Sequence, residues 1–167
     1  DYAQSDRMTT VPNPASMLEI DDYTQTKRLL VNAFLQAEII KGLVTKINIG
    51  FDDQNGVRNS YIPTTTLYGK QEGGKASKSM AQQFDRLLEA TVNYNFNIAK
   101  AHKFNILAGY SYQDFNNEGF SAANSQFFTD IFKYNSLASG EAARPTVASN
   151  KSKTMFISYF GRINYNL

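Results

Sequence analysis

The chain has no cysteine, no tryptophan and a single histidine among its 167 residues. Without cysteine it can form no disulfide, no thiolate zinc site and no cysteine nucleophile. The one histidine, His102, lies beside Lys103 in a predicted tight turn, where an exposed position is expected. It provides too few ligands for a metal centre, and the sequence offers no partners for a catalytic triad around it.

Charge is also scarce. Charged residues make up 19% of the sequence, against roughly 25% in ordinary soluble domains. The net charge of +2 is too small and too scattered for a surface that tracks phosphates. No nucleic-acid partner is therefore expected.

Long hydrophobic runs are missing as well. The longest clusters, such as Leu29-Leu30-Val31, end far short of the about 18 to 20 apolar residues that a membrane-spanning helix needs. This excludes a helical membrane protein but not a membrane β-barrel, whose strands need only about 9 to 11 residues. The start, Asp1-Tyr2-Ala3-Gln4, lacks a secretory signal, so we expect a chain that was processed or cut from a longer protein.

Aromatic residues are abundant, and much of the chain alternates with period two. The 12 Phe and 10 Tyr bring the aromatic content to 13%, which is too high for a disordered chain. The alternation predicts five strands, each with one set of apolar alternate side chains and a second, mostly polar set between them. The apolar sets run over residues 29–39, 43–51, 84–96, 104–112 and 155–165.

The predicted connections alternate between short and long. Short turns at residues 40–42 and 98–102 are separated by long loops at Asp53 to Gln82 and Asp114 to Ser152. Outer-membrane barrels have this asymmetry, with tight periplasmic turns and long outer loops.

Aromatic residues of the apolar sets favour the strand ends, as in the two aromatic girdles of a membrane barrel. Those near the short turns are Tyr94, Phe96, Phe104 and Tyr165, and those near the long loops are Phe51, Phe84, Tyr110 and Tyr112.

Two architectures stay open at this point. Alternation cannot distinguish a lipid-covered sheet from half of a soluble extracellular β-sandwich that serves in binding or adhesion. Loop asymmetry and aromatic placement favour the barrel. Five strands cannot close a barrel, since bacterial barrels have even strand numbers from about eight upward and lipid tolerates no open edge. The chain would then be part of a larger barrel.

No motif identifies an enzyme. Residues 69–75 (GKQEGGK) match the start of a phosphate-binding loop, but Ala76 stands where a Ser or Thr must follow. Asp52 to Gly56 looks like a calcium loop, yet its frame puts Phe51 at the first ligand position. No catalytic, cofactor or metal site is predicted.

Other polar residues do not identify an enzyme either, and solvation alone would account for any single asparagine. The carboxylates of Asp21-Asp22, and likewise of Asp52-Asp53, are adjacent on a strand and so point to opposite faces. The polar sets are rich in asparagine, which suits a wet lumen where amides bond to water or sugar hydroxyls. The substrate-binding residues stay unknown.

A short helix is predicted near Thr129 in the second long loop. It would bring Phe128, Ile131 and Phe132 together. We expect the aromatic run at residues 127–134, to which these side chains belong, to pack the loop onto its own barrel.

Several stretches resemble the SusC/RagA family of TonB-linked outer-membrane transporters. Two resemble its barrel strands, namely Asn105 to Gln113 (NILAGYSYQ) and Ser158 to Leu167 (SYFGRINYNL). Asn59 to Thr66 (NSYIPTTT) and Thr129 to Leu137 (TDIFKYNSL) resemble its loop segments, and Asn13 to Leu18 (NPASML) resembles the run that enters a barrel strand. The similarity covers nearly the whole chain, and the pair GYSYQ and SYFGRINY is its most specific part.

The resemblance implies that residues 1–167 are one segment of a 22-stranded, plugged barrel in the outer membrane of a Bacteroidota-type bacterium. It implies import of oligosaccharides or peptides, energy from TonB, and a SusD-like surface lipoprotein that captures ligand. Outer-membrane lipid would surround the apolar sets, and no cofactor is implied. Because the sequence shows no plug, no TonB-contacting box and too few strands, the chain alone is not expected to transport.

Overall fold

The structure, a computed structural model, describes residues 10–98 and 101–167 and has five β-strands in these ranges. They form one antiparallel sheet in which each strand pairs with its neighbours in the chain, so β1 and β5 are its edges. The predicted all-β meander is confirmed, whereas the start, Asp1 to Gln4, lies outside the described residues. The strands are β1 (Asp21–Ile40), β2 (Leu43–Ile62), β3 (Lys75–Ile98), β4 (His102–Ser125) and β5 (Thr146–Asn166).

Contacts between strands confirm the predicted faces. We call the face formed by the five apolar sets the apolar face, and the face formed by the residues between them the polar face. On the apolar face, Phe51 packs edge-on against Phe84 with ring centroids 4.9 Å apart, and Tyr110 lies 5.3 Å from Tyr159. Residues of the predicted apolar sets therefore lie next to one another on neighbouring strands.

The strands are longer than the sequence predicted. The predicted loop Asp53 to Gln82 is strand up to Ile62 and again from Lys75. The predicted connection Asp114 to Ser152 likewise contains the end of β4 and the start of β5. Both loop boundaries were wrong because these extensions are mostly polar on both faces, which removes the period-two signal.

Short and long connections nevertheless alternate. Gly42 occupies the turn between β1 and β2 with a φ of +84°, a conformation that favours glycine. The long connections are residues 63–74 and 126–145. Residues 99–100, in the second short turn, lie outside the described part of the chain.

Helical turns occur in the connections and just before β1. The helix α1 (Leu67–Glu72) lies in the first long connection, where the Thr66 hydroxyl caps it by accepting from the Gly69 amide at 2.9 Å. Single 3-10 turns lie at Ser16–Glu19, Lys133–Asn135 and Leu137–Ser139.

The predicted helix near Thr129 is wrong. The chain forms only the 3-10 turn Lys133–Asn135 there, and Lys133 has a φ of +47°, through which a right-handed helix cannot continue. Phe127 is buried, but Phe128 and Ile131 are about four-fifths exposed, so the expected packing holds for only part of the aromatic run. Among the described residues, no helix has the length and the apolar character to cross a bilayer.

The chain divides into two compact units, each described by itself below. The loop unit comprises Asp1–Lys27, Asn55–Gln82 and Glu118–Lys151, and its small core consists of Tyr61, Ala76 and Phe127 with Tyr134 and Leu137 packed against it. The turn unit comprises Arg28–Gln54, Gln83–Asn117 and Ser152–Leu167.

The apolar face of the turn unit is exposed. Val31, Val92 and Ile157 leave 46%, 41% and 59% of their surface uncovered. No second sheet covers this face within the described residues, in contrast to the core that a β-sandwich requires.

Candidate functional site

The polar face of the turn unit carries an asparagine cluster across β3, β4 and β5. The Asn105 amide donates to Asn93 at 2.7 Å and to Asn95 at 2.6 Å, and Asn164 donates to the Asn105 carbonyl at 3.4 Å. These contacts leave further amide donors and acceptors for water or ligand. The asparagine-rich surface predicted from the sequence is therefore one connected patch.

Some charged side chains on the same face have hydrogen-bond partners. Arg28 donates two parallel hydrogen bonds to Asp52 at 2.9 and 2.6 Å, the bidentate geometry that favours an arginine-carboxylate pair. Asn48 donates to Glu89 at 3.3 Å. The face thus offers hydrogen-bonding groups without a large excess of one charge.

A groove of about 220 Å³ lies in the turn unit and is lined mainly by the polar face. It combines the aliphatic and aromatic surfaces of Leu30, Leu87 and Phe115 with the amides of Asn32 and Gln113. Such a mixture suits a ligand with both apolar and hydrogen-bonding parts. The sequence could not identify this groove, because its members come from four strands with no motif in common.

The two strand motifs that carry the family resemblance pack against each other. Phe160, from SYFGRINY in β5, places its ring over Gly109, from GYSYQ in β4. A Cβ atom at Gly109 would lie 2.2 Å from the ring. Only glycine leaves this space free, so the two motifs can pack together in this way.

The apolar face ends in aromatic residues on the side of the short turns and in charged residues on the side of the long connections. Towards the short turns, the rings of Phe96 and Phe104 stack 5.3 Å apart, and Tyr165 lies 5.0 Å from Phe104. His102, at the same boundary, is half-buried; its Nδ1 lies 2.6 Å from the Tyr165 hydroxyl, so it is less exposed than expected. Towards the long connections, the apolar set of β4 gives way to a charged residue, Asp114.

A charged cluster marks that second boundary. Asp114 is fully buried; Arg86 hydrogen-bonds it, and the Lys153 ammonium lies 3.7 Å from its carboxylate. From Phe104 to Asp114 a strand covers about 33 Å at about 3.3 Å per residue. At the usual tilt of about 40° this corresponds to roughly 25 Å of membrane thickness, the height of a barrel's apolar band.

The loop unit brings together the segments that resemble family loops. Asp130, from TDIFKYNSL, accepts hydrogen bonds from Tyr61 at 2.5 Å and from the Thr64 hydroxyl at 2.6 Å, and both partners belong to NSYIPTTT. The third segment, NPASML, is followed directly by Glu19, which accepts from Thr65. These distant stretches of sequence therefore form one structural unit.

Burial raises the pKa of Tyr61, and the hydrogen bond to Asp130 raises it further. In the same unit, hydrogen bonds from Arg58 lower the pKa of Asp22, and the contact with Asp21 raises the pKa of Lys133. These shifts favour a neutral Tyr61, a negative Asp22 and a positive Lys133, so ion pairs and the buried bond between Tyr61 and Asp130 contribute to holding the loop unit.

The residues weighed as chemical motifs have structural roles. Residues 69–75 form the end of α1 and the turn into β3, and Asp52 lies within β2 paired to Arg28. Asp21 and Asp22 point to different partners, Lys133 and Arg58. Within the described part of the chain, no group of three or more His, Cys, Asp or Glu side chains is placed to hold a metal ion.

No protein-family model matches the chain. Among curated proteins, it is 33% identical over 156 residues to TonB-dependent receptor P3 of Formosa agariphila, covering 93% of this chain and 15% of that protein. It is 29% identical over 112 residues to TonB-dependent receptor P26 of the same organism, covering 67% of this chain and 11% of that protein. The chain thus spans only a small part of the relatives it matches.

The fold of the chain is similar to that of solved structures. The RagAB peptide importer in its 'closed-closed' state superposes with a TM-score of 0.83 at 22% identity, over 92% of this chain and 17% of that chain. A further RagAB peptide transporter structure gives 0.81 at 21% identity over the same shares. The chain is therefore similar in sequence to TonB-dependent receptors, and its antiparallel all-β meander has the fold of the matching part of the RagAB structures, in agreement with the SusC/RagA resemblance of its motifs.

Proposed function

We propose that the chain is part of the wall of a 22-stranded, plugged outer-membrane barrel that imports oligosaccharides or peptides with energy from TonB. The apolar face lies against lipid and the polar face lines the lumen. In this proposal the chain would not transport by itself, and no catalytic or cofactor-binding role is assigned to its residues.

One observation carries this proposal, namely the contrast between the two faces of the turn unit. One face is apolar over the height of a bilayer core and has aromatic residues at one end and charged residues at the other, as a lipid-facing surface requires. The other holds linked amides and a groove. A soluble module would need to cover the exposed apolar face.

The polar face supports both proposed substrate classes. Amide groups such as those of Asn93 and Asn105 can bond either sugar hydroxyls or peptide backbone, and the groove adds an apolar surface beside them. A SusD-like surface lipoprotein would deliver ligand from the side of the long connections. The likeness to the RagAB peptide importer supports such an arrangement.

The orientation of the faces can be tested by labelling single cysteines in a cysteine-free version of the full-length receptor. Thr91 and Val92 are neighbours in β3 on the polar and apolar face. In intact cells, a charged maleimide should modify Thr91→Cys, whereas Val92→Cys should react only after denaturation. Equal modification of both would contradict the assignment.

Transport itself can be tested by uptake of labelled peptides and oligosaccharides in cells with and without the receptor. Uptake of one class should require both the receptor and TonB. Uptake that continues without TonB, or without the receptor, would contradict the proposed function while leaving the fold unaffected.

A further inference from the structure

The charged cluster on the apolar face contains two cationic side chains but only one carboxylate. Arg86 and Lys153 both contact the single carboxylate of Asp114. Asp114 is fully buried, whereas the two cationic side chains remain 49% and 50% exposed. The exposed part of this cluster is therefore positive.

Arg86 retains hydrogen-bonding capacity after its contact with Asp114. A guanidinium has five N–H donors, and Asp114 Oδ2 accepts from one of its nitrogens, Nη2. The guanidinium also lies over the Phe84 ring, 5.6 Å from its centroid, which restrains its position. Lys153 keeps ammonium donors as well, since at 3.7 Å from Asp114 it forms an ion pair rather than a close hydrogen bond.

We propose that Arg86 and Lys153 bind the phosphate headgroup of a membrane lipid that carries a phosphomonoester. The inference rests on the proposed function, because it needs the apolar face to lie against lipid. The lipid's acyl chains would then cover the aliphatic surface below the cluster, where Met155 lies within 3.5 Å of the Tyr112 hydroxyl.

Charge complementarity and position favour a lipid over a soluble anion. A planar guanidinium beside an ammonium suits a phosphomonoester, which carries more than one negative charge and three acceptor oxygens. The cluster also lies where the apolar set of β4 ends, at the depth of lipid headgroups. Asp114 acts as a positioning residue that holds both cations on one side of the sheet.

The test uses the full-length receptor in nanodiscs of phosphatidylcholine doped with phosphatidic acid, and it measures retained phosphatidic acid per receptor by native mass spectrometry. Lys153→Gln keeps the Arg86–Asp114 pair and removes one exposed cation. Its affinity for phosphatidic acid should fall about fivefold, the effect of one basic residue near a lipid surface.

A second variant changes the charge in the opposite direction. Asp114→Asn keeps the shape of the side chain and leaves both cations unneutralised, so retention should equal or exceed that of the wild-type receptor. Lys46→Gln is the matched control, because it removes one cation from the polar face, where Lys46 lies over Phe34. Its retention should not change.

Unchanged retention in Lys153→Gln would overturn the proposal, as would an equal fall in Lys46→Gln. Binding of inorganic phosphate that competes fully with phosphatidic acid would also overturn it, in favour of a soluble-anion site. A fluorescent label on Val92→Cys in the same nanodiscs distinguishes failure of the lipid site from failure of the proposed orientation of the apolar face. If brominated phosphatidylcholine quenches the label but retention is unaffected, the lipid site fails and the proposed orientation stands; without quenching, the orientation itself fails.

Discussion

At the residue scale, glycine determines how the two most specific motifs pack. The ring of Phe160 occupies the space that a side chain at Gly109 would need, and the nearest atom to a Cβ at Gly161 is a backbone oxygen 3.4 Å away. The two glycines belong to the same pair of motifs but differ in the room around them.

Gly109→Ala should therefore destabilise the receptor by about 1 kcal/mol through overpacking against Phe160. Gly161→Ala, the control, should have a smaller effect. Urea unfolding followed by the loss of heat-modifiable migration on gels measures both. In a Phe160→Ala background the cost of Gly109→Ala should disappear, and a cost that persists would show that another contact is responsible.

A second residue-scale feature is the bond between Tyr61 and Asp130 in the loop unit. Tyr61 is 1% exposed and its hydroxyl donates to a carboxylate. Tyr61→Phe should lower the free energy of unfolding by about 1.5 to 3 kcal/mol, the usual range for hydrogen bonds to charged groups. Tyr68→Phe changes an exposed tyrosine and serves as the control.

The same bond predicts a pH dependence. Because the folded pKa of Tyr61 is raised above the unfolded value of about 10, its stabilising contribution is complete below pH 10 and is lost as the pH rises further. The stability difference between the wild type and Tyr61→Phe should shrink in that alkaline range. A constant difference across it would contradict the assigned hydrogen bond.

At the scale of strands, the sequence predicted the number of strands, the residues that share each face and the approximate centre of each strand. The apolar sets at residues 84–96 and 104–112 alternate with mostly polar residues, as expected for strands that have an apolar medium on one face only. β2 continues after residue 53, and β3 begins before residue 82. These two extensions do not alternate, since polar residues occupy both of their faces. Periodicity detects a difference between two environments, and it disappears where both faces meet water.

The candidate site was harder to predict than the strands. The asparagine patch could be anticipated, because asparagines alternate within β3 and within β5. The pairs Arg28–Asp52 and Tyr61–Asp130 depend on register and on the course of a long connection. A single sequence contains no local signal for either pair.

Substitutions on one strand test the difference between its faces. Val92→Arg places a charge on the apolar face and should destabilise the receptor by about 2 to 4 kcal/mol if the site lies near the bilayer midplane. Thr91→Arg, one residue away on the polar face, should change the stability by no more than about 0.5 kcal/mol. Urea titration in lipid vesicles measures both, and similar losses in the two variants would contradict the assignment of faces.

At the scale of the whole molecule, β1 and β5 are the edges of a single sheet. Their outer backbone groups need partners in a lipid environment, where unpaired edges are unfavourable. The chain spans 15% of the curated relative with which it shares 33% identity. In the proposed barrel, both edges would therefore pair with neighbouring strands.

The central claim is that lipid, rather than protein, covers the apolar face, and fluorescence quenching tests it most directly. A fluorescent label is attached to Val92→Cys or Thr91→Cys in the full-length receptor and reconstituted in bilayers with and without brominated acyl chains. Brominated lipid should quench the label at Val92 strongly and the label at Thr91 weakly. Weak quenching at Val92, or equal quenching at both positions, would contradict the account.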